Sequence, residues 1–387
     1  MGRAVDAGSE RPGRQVLVVG AGIAGPALAF WLHRAGFAVT VVERAPRVRP
    51  GGQAVDLRGI AREVAVRMGL DEDIRRASIR TGGFSLVDAD GAVLGSQRAD
   101  ESNGDGRLAE IEILRGELAG VLHDATAPDV EYVFGDRVTG LQETPDGVTV
   151  TFAHAAPRRF DLLIGADGVH SEVRSLAFGD DPGTVRHLGV YVAYWSAPNH
   201  LGLQDWALAH DGPELSAGIR PVHGNREAIV YLSFRSPELA VDPRDVAAQK
   251  QLLRERAAGM GWEVPVLLAG LDDAPDFYFD SCSQVILESW HRGRVGLLGD
   301  AAFSPSPLTG QGTGLALVGA YVLAGELAAA GTDLDAGLAA YEHRMRGWVE
   351  RTQRMGREGA DAETLQAVAN GIALPDYPAL RAASAGE

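Results

Sequence analysis

Cysteine is nearly absent from this chain of 387 residues. Cys282 stands alone, so no disulfide can close within the chain and no cysteine-based metal site can form. An oxidising compartment is therefore not needed. Lysine is as scarce: Lys250 is the only one, and almost every cation is a guanidinium. Positive charge is in deficit overall, with 36 Lys and Arg against 52 Asp and Glu and a formal net charge of −16. That balance argues against nucleic acid or an anionic membrane as partner. Met1 to Arg14 lacks an apolar stretch of the signal-peptide kind. The longest apolar helix candidate, Gly314 to Ala330, carries Glu326 and many small residues, which makes it a poor bilayer span. The cytoplasm is the expected setting. Internal repeats, low-complexity linkers, metal-ligand spacings and a Ser/His/Asp arrangement are missing too. What is present is an ordinary globular composition, 45% hydrophobic and 23% charged with 49 Gly, sufficient for one large core or two moderate ones.

Three stretches far apart in the chain read as one site. The first is Gly20-Ala21-Gly22-Ile23-Ala24-Gly25. It follows the apolar run Gln15 to Val19, which suits a strand buried on both faces, and it opens a helix from Ala24 to Ala35. Gly20 permits the tight turn, Gly22 lets the backbone approach a pyrophosphate, and Gly25 lets helix pack on strand. The helix N-terminus supplies free N–H groups and a positive dipole end, and Pro26 sits where a missing N–H costs nothing. A second strand, Ala38 to Val42, ends at Glu43, placed to accept from ribose hydroxyls. Arg44 beside it balances diphosphate charge. The second stretch is Gly165-Ala166-Asp167-Gly168, reached directly from a strand over 160–164. The third is Gly299-Asp300-Ala301-Ala302 with Pro307 and Gly310-Gln311-Gly312, again led by a buried strand, 294–298. Together they point to FAD held across the N-terminal, middle and C-terminal thirds.

Between the motifs, 51–58 reads as a glycine turn into a short strand, with a helix following to about Leu70. Strands are expected over 80–100 around a turn at Asp88 to Gly91, Gly104-Asp105-Gly106 is a loop, and 113–124 has helical spacing. Strands follow at 130–134, 138–141, 148–152 and 160–164. From about 184 to 235 the pattern turns aromatic and alternating, as in an antiparallel sheet with one covered face. A helix over 243–261 and a strand over 277–287 complete that segment. Two long helices follow Gly312, and the segment after Arg357 is short and Ala-rich. The last long helix has a basic face, Arg344, Arg346, Arg351, Arg354 and Arg357, read as solvated or as a bridge to the nucleotide domain.

On these motifs the chain resembles the class A FAD-dependent aromatic hydroxylases typified by para-hydroxybenzoate hydroxylase, a group that includes tetracycline-inactivating and polyketide-tailoring monooxygenases. The resemblance covers about residues 14 to 357. It implies an α/β fold: a Rossmann-like FAD-binding domain of the GR2 type (14–78, 104–182 and 284–331), an inserted antiparallel sheet that forms a substrate domain (79–103 and 183–283), and a C-terminal helical segment (332–387). It implies that Gly20, Gly22, Ile23, Ala24, Gly25, Glu43 and Arg44 hold the ADP half of FAD, with Val138 contributing. Asp167, Gly168, Ser171 and Arg174 match the middle motif, implicated in FAD and NAD(P)H use, although Asp167 also suits the capping of a helix beginning near Val169. Asp300 is expected to accept from the ribityl chain or the flavin O3′. The Pro307, Gly310, Gln311 and Gly312 segment is expected at the pyrimidine edge. Arg115 and Asp56 match further flavin contacts, and Arg49 a nicotinamide cofactor contact. One departure is Phe303, where the family often has histidine.

The implied activity is that of a monooxygenase. NAD(P)H reduces the flavin, O2 forms a C4a-hydroperoxide, and an electron-rich carbon of an aromatic or polyketide-like small molecule is hydroxylated. Because the cofactor carries this chemistry, no strong acid–base constellation is required of the protein. Tyr191, Tyr194, Trp195, Trp206 and Phe234 are candidates to line an aromatic substrate pocket, with sheet core as the alternative for each. Two other readings remain at this level: a double-bond reductase, and a catalytically silent FAD-binding protein. A flavin-dependent halogenase is excluded, because no two tryptophans lie two residues apart and Lys250 is far from Gly20.

Overall fold

Strand Gln15–Val19 lies at the centre of a six-stranded sheet because Val16, Leu17 and Val18 are apolar toward both faces and wholly buried. In a computed structural model that describes residues 13–99, 111–242 and 245–381, the order across this sheet is His291–Arg292, Val295–Leu297, Leu162–Gly165, Gln15–Val19, Ala38–Glu43 and Glu131–Phe134. All pairings are parallel except the first. Helix Ala24–Arg34 packs beside it with Ala27, Leu28 and Leu32 wholly buried, and its Trp31 meets Tyr321 edge-on.

Helix Gly312–Ala330 is apolar on every side and buried along most of its length. It is long and apolar enough to cross a membrane by composition, but here it packs against helices Ala24–Arg34, Ile60–Met68 and Leu334–Glu358. A helix hydrophobic all round is a core helix when other helices surround it.

A seven-stranded sheet stands beside the first, in the order Tyr278–Val285, Val185–Pro198, Glu227–Arg235, Leu215–Val222, Trp206–Asp211, Gly83–Val87 and Val93–Arg98. Side chains alternate across it. One face carries Ala193, Trp195, Ala217, Ile219, Val230 and Leu232 and is closed by Leu253, Val264 and Leu267 from helices Val246–Arg256 and Val264–Ala269. The other carries Tyr194, Val222 and Ile229, which meet Ile79 and Leu114 of the nucleotide half.

Several local expectations are corrected. The 113–124 helix begins only at Arg115, because Ile111–Leu114 is a fully buried strand paired with Ala54–Leu57. The segment after Arg357 forms a further helix, Ala362–Ala369, capped by Asp361. The Gly104 to Gly106 loop lies outside the described residues. The arginines of Leu334–Glu358 are not simply solvated: Arg344 donates to Glu326, Arg346 to the carbonyls of Leu287 and Glu288, Arg351 to that of Gly371, and Arg357 to Gln284.

Candidate functional site

Strand register brings the three motifs to one edge. Val19 lies opposite both Val42 and Gly165, and Gly165 opposite Leu297. The residues at or just past the end of each strand, Gly20, Glu43, Ala166-Asp167 and Gly299-Asp300, therefore lie side by side at the carboxyl end of the sheet. This is where an open parallel sheet offers a crevice to ligands. Short backbone bonds tie the row: Gly20 N–H to Val42 O at 2.8 Å, Ala166 N–H to Val19 O at 2.8 Å and Leu298 N–H to Gly165 O at 2.8 Å.

The glycines answer to contacts. Gly20 has φ +108°, and a Cβ there would stand 2.5 Å from the carbonyl oxygen of Ala166. A Cβ on Gly25 would overlap the carbonyl oxygen of Gly20. Gly22 is different, because its Cβ would meet only the Arg115 guanidinium, at 3.4 Å. Ile23 and Ala24 are buried at the start of the helix. Glu43 accepts from Ala21 N–H at 2.9 Å and Ala45 N–H at 2.8 Å, which fixes its carboxylate beside the glycine turn. Arg44 is exposed next to it. Val138 is buried in the core, backbone and side chain alike, and offers almost no surface to a ligand.

Asp167 accepts from Ser171 Oγ at 2.5 Å and from Val173 N–H at 3.1 Å, while Ser171 caps helix Glu172–Phe178 through Arg174 N–H. Burial raises its pKa, opposed by these bonds. The helix thus begins at Glu172, not near Val169, with Ser171 as its cap and Asp167 supporting that cap. The capping role does not stand alone, because Arg174 reaches from the same helix to Ala301 O.

On the third motif, Asp300 faces the crevice. It is exposed there, yet desolvation by the protein around it raises its pKa, and the Arg115 charge opposes that shift. A Cβ on Gly312 would stand 3.8 Å from Asp300 Oδ1, and one on Gly310 3.7 Å from Asp56 Oδ2. Asp300, Asp56 and the 310–312 turn thus surround one small volume. Asp56 is paired with Arg58 at 3.0 Å, and burial raises its pKa. Pro307 opens a short 3-10 turn ahead of Gly310. Gln311 is buried at the N-cap of the Gly312–Ala330 helix, and its Nε2 has no hydrogen-bond partner among the described residues. Phe303 is wholly buried against Trp290, a packing role rather than one in the crevice.

Arg49 lies where Glu43, Arg44, Arg115 and Tyr278 all act on its charge, and partial burial lowers its pKa. Of the five substrate candidates, only Tyr194 is on the face turned to the crevice. Tyr191, Trp195 and Phe234 belong to the core beneath the two helices, with Tyr191 stacked on Phe234 and Phe279. Trp206 shares the parity of Leu208, which packs on that same core, and donates to Ser85. These four are core or edge residues, not lining.

Sequence reasoning passed over His170, Tyr278 and Asp280. Asp280 accepts from Tyr278 Oη at 3.0 Å and meets His170 Nε2 at 3.1 Å, joining the Asp167-Gly168 loop to the large sheet. The i, i+2 spacing of Tyr278 and Asp280 was the available signal, since it places both on one face. Glu112, buried and paired with Arg220 at 2.9 Å, was also missed.

The family model described as an FAD binding domain matches residues 14–355. A flavin-dependent monooxygenase of Legionella longbeachae is 37% identical over 383 residues, covering 94% of this chain and 98% of the relative. The crystal structure of tetracycline destructase Tet(51) superposes with a TM-score of 0.87 at 34% identity, covering 95% of this chain and all of that one. Klebsiella pneumoniae HpxO, solved with FAD and uric acid, gives 0.70 at 26% identity over 92% of each chain. With the motifs on one edge and these likenesses along nearly its whole length, the chain belongs to the class A FAD-dependent aromatic monooxygenases and is a flavin-dependent monooxygenase acting on a small molecule.

Proposed function

We propose that FAD lies along the carboxyl edge of the parallel sheet and that the substrate is an aromatic small molecule held between it and the Tyr194 face of the large sheet. In this reading Gly20, Gly22, Ile23, Ala24 and Gly25 take the pyrophosphate. Glu43 and Arg44 take the adenosine ribose and its diphosphate, and Asp167 supports the middle of the cofactor. Asp300 takes the ribityl chain. Pro307, Gly310, Gln311 and Gly312 meet the pyrimidine edge, with Asp56 and Arg115 flanking. The observation that carries it is the register that aligns Gly20, Asp167 and Asp300. Two features support the fit to a dinucleotide: the space above Gly22 that ends on a guanidinium, and the unpaired Nε2 of Gln311.

Bound FAD supplies electron transfer from NAD(P)H and activation of O2. The chain's own residues bind and orient. The N-terminus of helix Gly312–Ala330 favours negative charge on its neighbour, Arg115 adds a fixed cation, and the Tyr194 face excludes water from the substrate's side. Arg49 is our candidate for the nicotinamide cofactor. With no disulfide to maintain, we place the protein in the cytoplasm.

The test has two parts. Asp300→Ala should deplete bound FAD, and full flavin occupancy would remove Asp300 from the site. The wild type should consume NADPH or NADH faster with a phenolic substrate, giving a product one oxygen heavier by mass spectrometry. Consumption without any oxygenated product, across a panel of phenols and polycyclic aromatics, would sink the aromatic-substrate reading.

A further inference from the structure

The crevice face of the large sheet carries a row that no motif singled out. Tyr278 lies opposite Tyr194 across one strand boundary, and Tyr194 opposite Tyr231 across the next. Three tyrosines therefore stand on one rung of three adjacent strands. At about 4.8 Å between strands, the rung spans roughly 10 Å. Gly218 is the next position on it. A Cβ there would overlap the Tyr231 ring, so that ring lies down over the neighbouring strand instead of standing out from the sheet. The Tyr278 and Tyr194 rings are 6.4 Å apart and inclined by 33°.

The two ends of the row differ chemically. The Tyr278 hydroxyl is committed to Asp280, which His170 also holds, and the charges of Arg115 and Asp300 act on it. This end is therefore the one next to the proposed flavin site. The Tyr194 hydroxyl has no hydrogen-bond partner among the described residues. Burial raises its pKa, which keeps it a neutral donor.

We propose that Tyr278, Tyr194 and Tyr231 form the specificity-determining rung for the substrate, selecting a flat ring system about three strands long and offering the Tyr194 hydroxyl to a carbonyl or phenolate oxygen on it. This rests on the preceding reading, since the Tyr278 end must bring the reacting carbon to the flavin. A single ring covers one tyrosine; a fused three-ring system covers all three, and each added aromatic contact strengthens binding.

The test uses FAD-loaded protein with two probes, 1,8-dihydroxyanthraquinone and phenol. Binding is read by calorimetry and turnover separately by NADPH consumption. The three-ring probe should bind at least about tenfold more tightly than the single ring. Tyr194→Ala and Tyr231→Ala should each weaken the three-ring probe by roughly three- to tenfold, and by more than they weaken phenol. Tyr194→Phe, which keeps the ring, and Gly218→Ala, which displaces the Tyr231 ring, should also weaken it, and they serve if the alanine variants do not fold. Equal affinity for the two probes, no measurable binding of the larger one, or variants that bind it as the wild type does would overturn the rung. Discriminating binding without turnover would support the rung while counting against the proposed function.

Discussion

Arg174 and Ala301 are 127 positions apart and joined by one buried hydrogen bond, from Nη1 to the carbonyl oxygen at 3.0 Å. The other guanidinium nitrogen donates to Val169 O at 2.6 Å. The helix that follows Asp167-Gly168 is thereby stapled to the helix that begins at Asp300. The middle motif thus positions the third one as well as lying beside it.

Arg174→Met should therefore damage both. Two carbonyls lose a charged donor, at a cost of about 2–3 kcal/mol, and Asp300 loses its support. Urea unfolding of apoprotein and FAD-loaded protein separates the effects. We expect the loaded form to lose more, because FAD affinity falls with stability. Equal losses in the two forms would reduce Arg174 to a purely structural residue.

Gly25→Ala and Gly22→Ala should fail in different ways. The first drives a methyl into the Gly20 carbonyl, where only backbone can yield, so little folded protein is expected. The second meets the end of one flexible side chain, so the apoprotein should keep its melting temperature while FAD binding weakens by about tenfold or more. Thermal melts and flavin titrations read the two outcomes. A Gly22→Ala protein with undiminished FAD affinity would show that nothing needs to approach that backbone.

The glycine turns, the acid at Glu43 and the Gly-Asp motif were legible because each is a local backbone demand: a positive φ, a close approach or a strand end. Fold class followed from them. The lining of the crevice was not legible. Tyr191, Tyr194 and Trp195 fall within one aromatic run, and which of them faces the core depends on the helices covering one face and on an irregularity between His187 and Tyr191. Neither is written in the run itself. Ile113 and Leu114 misled for a related reason, since a strand buried on both faces shows no alternation and its apolar positions merge with the helix after it. The arginines of Leu334–Glu358 looked solvated because their partners, backbone carbonyls and Glu326, come from remote segments.

Gln311 offers a clean separation of binding from folding. Its buried Nε2 has no partner among the described residues, and an unsatisfied buried donor costs about 1–3 kcal/mol. Gln311→Met should leave apoprotein stability unchanged or raise it, while FAD affinity falls by roughly tenfold. Calorimetric melts of apoprotein and flavin titration decide it. A variant that loses stability and keeps its affinity would place the amide's partner within the protein.

His170 gives the stability of the fold a pH dependence of known sign. Its bond to Asp280 raises its pKa above the ordinary 6.5, outweighing the burial that would lower it and the repulsion from Arg174 and Arg44. The unfolded chain binds that proton less tightly, so protonation favours the folded state. The contribution is complete below pH 6.5 and is lost as pH rises through the raised value. Half of the imidazole is exposed, which screens the pair and keeps the effect small. Asp280→Asn removes the cause, so the melting temperature of the variant should approach that of the wild type as pH rises from 6 to 9. The His170 resonance should also titrate at lower pH in the variant. A gap between the two melting curves that does not change with pH would mean that Asp280 stabilises the fold only through Tyr278 and its own backbone contacts.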